Sequence, residues 1–392
     1  MSGDASIPVV YAYGSNYECG FSVGRQMCER IRGAFARPDF IKLVDWAQQT
    51  EGAAYVATSM AAHERTYPHL MEEVRGLAEG ADVPFLHAFL RNIEGALAYP
   101  MQKWDVTVPE ASSERGAASK HDESADHCTD YMRSSSSFKA WGHTEDGPPS
   151  DQFFHYVINQ EVVGPAPARF TAYAYAGMLP GWAWGFNTSI GFSINALFPK
   201  PAGEHEGALL PSIEFVCRDV LSSCSIEEAL QRARVAQAVG ASYNMGEWAS
   251  QRMVNFEVSP GPTALDVQVS LVEIAECPDG VHVHANAYKR IDAAGAWEHY
   301  KEARRVNSAC RVRRGYEMPA AENVAMLRDV LRDECNPEGP IFNAGTLASV
   351  IFDIEAGTCS AWDSDGTFEG FEESPNLSFK FANAGSREEA TG

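Results

Sequence analysis

The sequence holds no apolar run approaching the roughly 18 residues that cross a bilayer, and its opening MSGDASIPVV has no basic patch leading into an apolar stretch. Neither a membrane span nor a secretory leader is expected. The closing REEATG does not match a peroxisomal SKL-type address, so a cytoplasmic protein is expected. Positive charge is scarce. Only 31 basic residues stand against 53 acidic ones, a formal net charge of −22, which repels phosphate backbones and anionic lipid. Nucleic acid and membrane are therefore poor partners, and a neutral or cationic small molecule is a better one. The nine cysteines are odd in number, scattered and free of any CxxC pair, so they read as reduced thiols. Metal spacing is also missing. His282-x-His284 places two imidazoles on one strand face, but His121, His127 and Cys128 supply no second pair at a metal-like spacing. Neither metal nor cofactor is expected.

What is present is an ordinary globular composition, 392 residues of which 45% are hydrophobic and 21% charged. One segment breaks it. Residues 109–127, PEASSERGAASKHDESADH, carry nothing apolar larger than Ala after the opening Pro and read as a flexible surface linker. Before it the pattern is helical. Ser15-x-x-Glu18 is a capping box, and Phe21, Gly24, Cys28, Ile31 and Phe35 follow at helical spacing as one buried stripe; a further helix covers His69 to Ala78. After it the texture turns to strands at 154–163, 170–177 and 181–198. Two helices follow, one from near Pro211 and one capped by Ser225-x-x-Glu228, then strands at 252–258, 266–275 and 281–285. A helix at 320–334 leads into the last strands. Helices grouped between blocks of mainly antiparallel strands predict a layered α+β fold with sheets inside and helices outside.

Cys128 stands where the linker ends and the strands begin, in HCTDYMRSSSSFKAWGHTEDG. A thiol there can attack the carbonyl of His127. If the resulting thioester hydrolyses, the chain is cut and Cys128 gains an α-amine of pKa about 7.7–8.0, a base for its own side chain. Against this stands the ordinary role of a lone cysteine as a small inert hydrophobe.

Several stretches in order narrow that choice. IPVVYAYGSNYECGFSVGR at the start, GHTEDG at 142–147, LPGWAWGFNTSIGFSINALFP at 179–199 and ASYN at 241–244 resemble the acyl-CoA:isopenicillin N acyltransferase family over about residues 7–365. Within it, the likeness is to members that hydrolyse N-β-alanyl biogenic amines. The resemblance implies an N-terminal nucleophile hydrolase, an αββα four-layer sandwich cut autocatalytically before the nucleophile. Residues 1–127 would form the α part and 128–392 the β part, and the two fragments would stay associated. One departure is plain: the family usually has Gly before the Cys and Thr-Thr or Thr-Ser after it, where this chain has His127, Thr129 and Asp130.

The supporting residues follow from the same likeness. Asp146, 18 residues past Cys128, suits a strand, a turn and a returning strand, and would orient the new amine; it is also a natural turn residue before Gly147-Pro148. His143 reads as structural. Asn244 would supply the side-chain donor to the oxyanion and Asn195 would line the site, each otherwise a satisfier of strand-end groups. Ser308 and Arg311, in the basic stretch ARRVNSACRVRR, would pair with Asp146 or a substrate carboxylate, unless these arginines merely coat an exposed helix. Trp182, Trp184 and Phe186 alternate as core or as a pocket wall. The function expected is hydrolysis of a small N-acyl amine of the β-alanyl type through a thioester. An acyltransferase using an acyl-CoA or amide donor is the near alternative, and an uncleaved, non-catalytic binding protein the remote one.

Overall fold

Residues 7–97, 128–199, 207–237, 239–261, 266–291, 302–364 and 375–385 are described in a computed structural model. The expected linker 109–127, with His127 at its end, lies outside the described residues. Two sheets form the centre. The larger runs β1 (Val9–Gly14), β4 (His155–Val162), β5 (Ala168–Tyr175), β6 (Trp184–Asn187), β7 (Ile190–Leu197), β8 (Gly240–Glu247), β9 (Arg252–Pro260) and β10 (Val267–Glu273). Every pairing in it is antiparallel except β1 with β4. The smaller, wholly antiparallel sheet runs β11 (Val281–His284), β2 (Thr129–Ser134), β3 (Lys139–Asp146), β12 (Thr346–Asp353), β13 (Thr358–Asp363) and β14 (Leu377–Lys380).

Side-chain alternation along these strands sorts the apolar residues into three buried layers. On one face of the large sheet, Tyr156, Ile158, Phe170 and Phe192 pack against α1 (Asn16–Gln26), α2 (Cys28–Phe35) and α5 (Pro68–Ala81) through Val23, Ile31, Leu70 and Val74. The alternate residues, Val157, Tyr173, Trp184 and Phe186, meet Met132, Trp141, Val350 and Phe352 of the small sheet. On the far side of the small sheet, Tyr131, Val283 and Ile351 pack against Leu327, Val330 and Leu331 of α10 (Val324–Leu331). Helix, sheet, sheet and helix thus form four layers, the αββα arrangement expected. The remaining helices are α3 (Pro38–Ala47), α4 (Thr50–Thr66), α6 (Phe85–Arg91), α7 (Ile213–Val220), α8 (Ile226–Ala233) and α9 (Glu302–Glu317). No helix among the described residues is long and apolar enough to cross a membrane.

The caps fall where the sequence places them. Ser15 Oγ accepts from the Glu18 N–H at 3.3 Å while Glu18 Oε2 accepts from the Ser15 N–H at 2.7 Å, and at α8 Ser225 Oγ accepts from the Glu228 N–H at 3.2 Å while Glu228 Oε2 accepts from the Cys224 N–H at 2.8 Å. The expected single stripe from Phe21 to Phe35 differs in detail. The chain breaks at Met27 (φ −109°, ψ 14°) into two helices, and α1 buries Cys19, Gly20, Val23 and Gly24 instead of Phe21. The reason is close contact with α5. A Cβ on Gly20 would lie 1.9 Å from the Glu73 carbonyl oxygen, and one on Gly76 would lie 2.0 Å from that of Tyr17. Glycines on both helices let the backbones touch. The structure also adds a strand the sequence left unassigned, β8, which carries ASYN. Trp184 and Phe186 resolve as core, both fully buried between the sheets.

Replacing Gly76 by Ala forces α1 and α5 apart. A stability loss of about 1–3 kcal/mol or more is expected, read as a lower urea midpoint with an unchanged slope.

Candidate active site

The β2–β3 hairpin sets the site. Its turn is the serine-rich Ser135–Phe138, where Ser135 Oγ accepts from the main-chain N–H of Ser137 and of Phe138 at 3.3 and 3.0 Å. The register then pairs Ser134 with Lys139 and Thr129 with Thr144. Cys128, one step before Thr129, comes opposite Glu145, one step past Thr144. Residues two apart share a face. Cys128, Asp130 and Met132 therefore point with Glu145, His143 and Trp141 into the space between the sheets.

That inner face is a hydrogen-bonded chain. The Cys128 thiol donates to Glu145 Oε2 at 3.2 Å, and Tyr175 of the large sheet donates its hydroxyl to Glu145 Oε1 at 2.6 Å. His143 bridges two carboxylates, with Nε2 at 3.4 Å from Glu145 Oε2 and Nδ1 at 2.9 Å from Asp130 Oδ2. Asp130 is the junction with the large sheet, accepting from Ser193 Oγ and, at 2.8 Å, from Asn195 Nδ2. Behind it, Asn244 Nδ2 donates to Asn195 Oδ1 at 3.2 Å and Asn255 Nδ2 to Asn244 Oδ1 at 2.9 Å. Each amide in the row donates toward Asp130.

The opposite face of the hairpin meets α9. Arg311, fully buried, donates from Nη1 to the Cys128 carbonyl oxygen at 2.6 Å and to Thr129 Oγ1 at 2.7 Å. Its Nη2 reaches Asn286 Oδ1 at 2.9 Å and Ser308 Oγ at 3.3 Å, and Nε reaches Asn307 Oδ1 at 2.8 Å. These acceptors together fix the guanidinium. Asp146 accepts from Asn343 Nδ2 at 3.1 Å through Oδ2, while its Oδ1 is buried with no hydrogen-bond partner among the described residues.

The charges follow from burial and neighbours. Burial, then Glu145 and Asp146, push the Cys128 thiol well above its ordinary 9.0. Burial alone would push His143 down, but Asp130 and Glu145 outweigh it and raise the imidazole to about 10. Burial raises the Asp146 carboxyl to about 7, against the opposing pull of Arg311. A neutral thiol thus sits beside a held imidazolium–carboxylate pair.

Known proteins can now be set beside this geometry. The family model described as acyl-coenzyme A:6-aminopenicillanic acid acyl-transferase matches residues 133–362. The chain belongs to that family. A beta-alanyl-dopamine/carcinine hydrolase of Drosophila melanogaster is 25% identical over 301 residues, 73% of each chain. A solved structure of a Caenorhabditis elegans N-acylethanolamine-hydrolyzing acid amidase ortholog is 12% identical, with a TM-score of 0.43, covering 64% of this chain and 99% of that one. The family, and with it the class of amide-bond hydrolase or acyltransferase, is the one the sequence motifs pointed to.

In this member of the family, Cys128, Asp146, Ser308 and Arg311 are gathered at one end of the hairpin, and Asn195 and Asn244 join through Asp130. Arg311 and Ser308 are fully buried against the hairpin. Arg313, by contrast, is exposed, paired loosely with Glu317. Sequence reasoning missed Glu145, Asp130, Tyr175 and Thr129, and read His143 as structural. The serine turn is the signal that locates them, since it sets which residues face Cys128. Cys128, His143 and Glu145 offer ligand atoms within 4.8 Å of one another, a grouping hidden by their separation in sequence.

Asp146 carries a pH signature. The folded chain holds its proton more tightly than the unfolded one, so its contribution to stability falls as pH rises from 3.8 toward about 7. In an uncleavable Cys128→Ala background, Asp146→Asn should gain on its parent by about 2–3 kcal/mol between about pH 5 and about pH 8. Urea unfolding at both pH values checks it, and a pH-independent difference would refute it.

Proposed function

We propose that this protein is a self-processing cysteine amidohydrolase of the N-terminal nucleophile type, cut before Cys128 and acting on a small N-acyl amine. The observation that carries the reading is the setting of Cys128. It heads β2 half-buried, with its thiol on the Glu145 carboxylate and its carbonyl on the Arg311 guanidinium.

After a cut, the α-amine of Cys128 serves as base for its own thiol. The unpartnered Asp146 Oδ1 is the acceptor suited to receive and orient the ammonium. The thiol gives its proton to the amine and adds to the acyl carbon of the substrate. An oxygen that becomes negative is stabilised by a neutral amide donor; Asn244 gives one of its two amide hydrogens to Asn195, and the second is assigned to the oxyanion. The leaving amine takes a proton from the Cys128 ammonium, and water releases the acyl group from the thioester. Arg311, anchored by Ser308, Asn307 and Asn286, holds the first two residues of the new terminus in place.

The substrate class follows from charge and from the Drosophila relative. A net charge of −22 favours a cationic substrate, and a β-alanyl amine carries an ammonium on its acyl group. A second reading, transfer of the acyl group to another amine, is favoured by the description of the family model itself. The two differ only in whether water or an amine enters second.

Intact mass and a denaturing gel should show fragments ending at His127 and beginning at Cys128. Cys128→Ala should remain one chain and release no free amine from a panel of N-β-alanyl and other N-acyl amines. Hydrolysis retained by that variant would refute the mechanism, and formation of a new amide on adding a second amine would decide for acyl transfer.

A further inference from the structure

Before any cut, the nitrogen of Cys128 is an amide nitrogen. Its lone pair is delocalised into the carbonyl, so it cannot take a proton from the thiol. The α-amine cannot be the base of the reaction that creates it. Resting on the proposed function, we infer that Glu145 is the general base of self-cleavage, a catalytic role that ends when the α-amine appears.

The geometry is direct. Glu145 Oε2 accepts the thiol hydrogen at 3.2 Å, within the reach a general base needs. The carboxylate is aimed by two donors, Tyr175 OH on Oε1 at 2.6 Å and His143 Nε2 at 3.4 Å from Oε2. His143 is itself anchored on Asp130 at 2.9 Å. Glu145 is nearly sealed, 3% exposed, so bulk water does not compete for the proton. The thiol is pushed up by burial and by this carboxylate, so it does not ionise beforehand; the proton leaves as sulfur attacks.

The step balances. Cys128 Sγ gives its proton to Glu145 as it bonds to the carbonyl carbon of the preceding residue. The carbon–nitrogen bond then breaks, and the departing nitrogen takes the proton back from the Glu145 carboxylic acid. A thioester and a free amine result. Water splits the thioester, restoring the thiol and leaving a carboxylate and one proton. Tyr175 and His143 are positioning residues here, since they act through Glu145.

The test follows full-length chains made by cell-free translation, with fragment appearance timed by gel and intact mass. Glu145→Gln, nearly isosteric, should slow cleavage by about a hundredfold or more. Its residual rate should climb with pH into the alkaline range, where hydroxide removes the proton, while the wild-type rate levels off. Glu145→Asp, which keeps a carboxylate, should recover part of the rate, and Tyr175→Phe should slow cleavage less than Glu145→Gln. Cleavage of Glu145→Gln at wild-type pace, or slower cleavage with the wild-type pH profile, would overturn the inference and leave the proposed function standing. A Glu145→Gln chain that fails to fold leaves the decision to Glu145→Asp: a rate and pH profile equal to wild type's in Tyr175→Phe and Glu145→Asp alike would overturn it. A wild-type chain that stays intact would overturn the proposed function and this inference together.

Discussion

An imidazole held between two carboxylates, His143 between Asp130 and Glu145, is the joint on which the rest of the site depends. Through Asp130 it reaches Ser193 and Asn195 of the large sheet, and through Glu145 it reaches Tyr175 of the same sheet and the thiol of Cys128. Aromatic and aliphatic side chains press the two sheets together and specify distance more than lateral alignment, and further polar contacts cross between them, among them Trp141 Nε1 to Ser193 Oγ at 3.1 Å and His284 Nε2 to Glu257 Oε1 at 2.8 Å. The polar joint supplies alignment. Burial of three ionisable groups is costly, and the cost is offset only while every partner is in place. The same requirement that aligns the sheets therefore holds the nucleophile at a stated distance from its carboxylate.

Much of the architecture was legible in the sequence. The capping box at Ser15, the alternating strands after residue 154 and the change of texture at residue 128 each reflect local chemistry, and local chemistry is what a sequence displays. The buried face of α1 was not legible, because it follows from glycine contacts with α5, about 50 residues away in the chain. The site was legible in part. Asp146 was expected to orient the new amine of Cys128; what the sequence did not show is that the hairpin register sets its neighbour Glu145 opposite the thiol, since a shift of one residue reverses the face of a strand. Arg311 was a candidate in the sequence, in a stretch whose other arginines could equally coat an exposed helix. Only the packing of α9 against β2 distinguishes it from Arg313, two positions along.

The electrostatics run against a preformed thiolate. Many reactive cysteines sit beside cations or helix N-termini that stabilise the anion, whereas Cys128 has carboxylates nearest its sulfur, and the guanidinium is committed to its carbonyl. Reactivity here depends on where the proton can go at the moment of attack, and less on how readily the thiol ionises alone. Such a thiol resists stray electrophiles while idle, because the neutral form is the poor nucleophile.

The parallel pairing of β1 with β4 has a further consequence. Residues 7–97 contribute an edge strand to the large sheet and most of one helical layer, so the chain before the proposed cut and the chain after it share one core. If the bond before Cys128 is broken, the molecule becomes two polypeptides with no covalent tie among them, and unfolding sets two particles free where it had released one. Its melting temperature would then rise with protein concentration, as for a dissociating dimer, although the folded architecture had not changed.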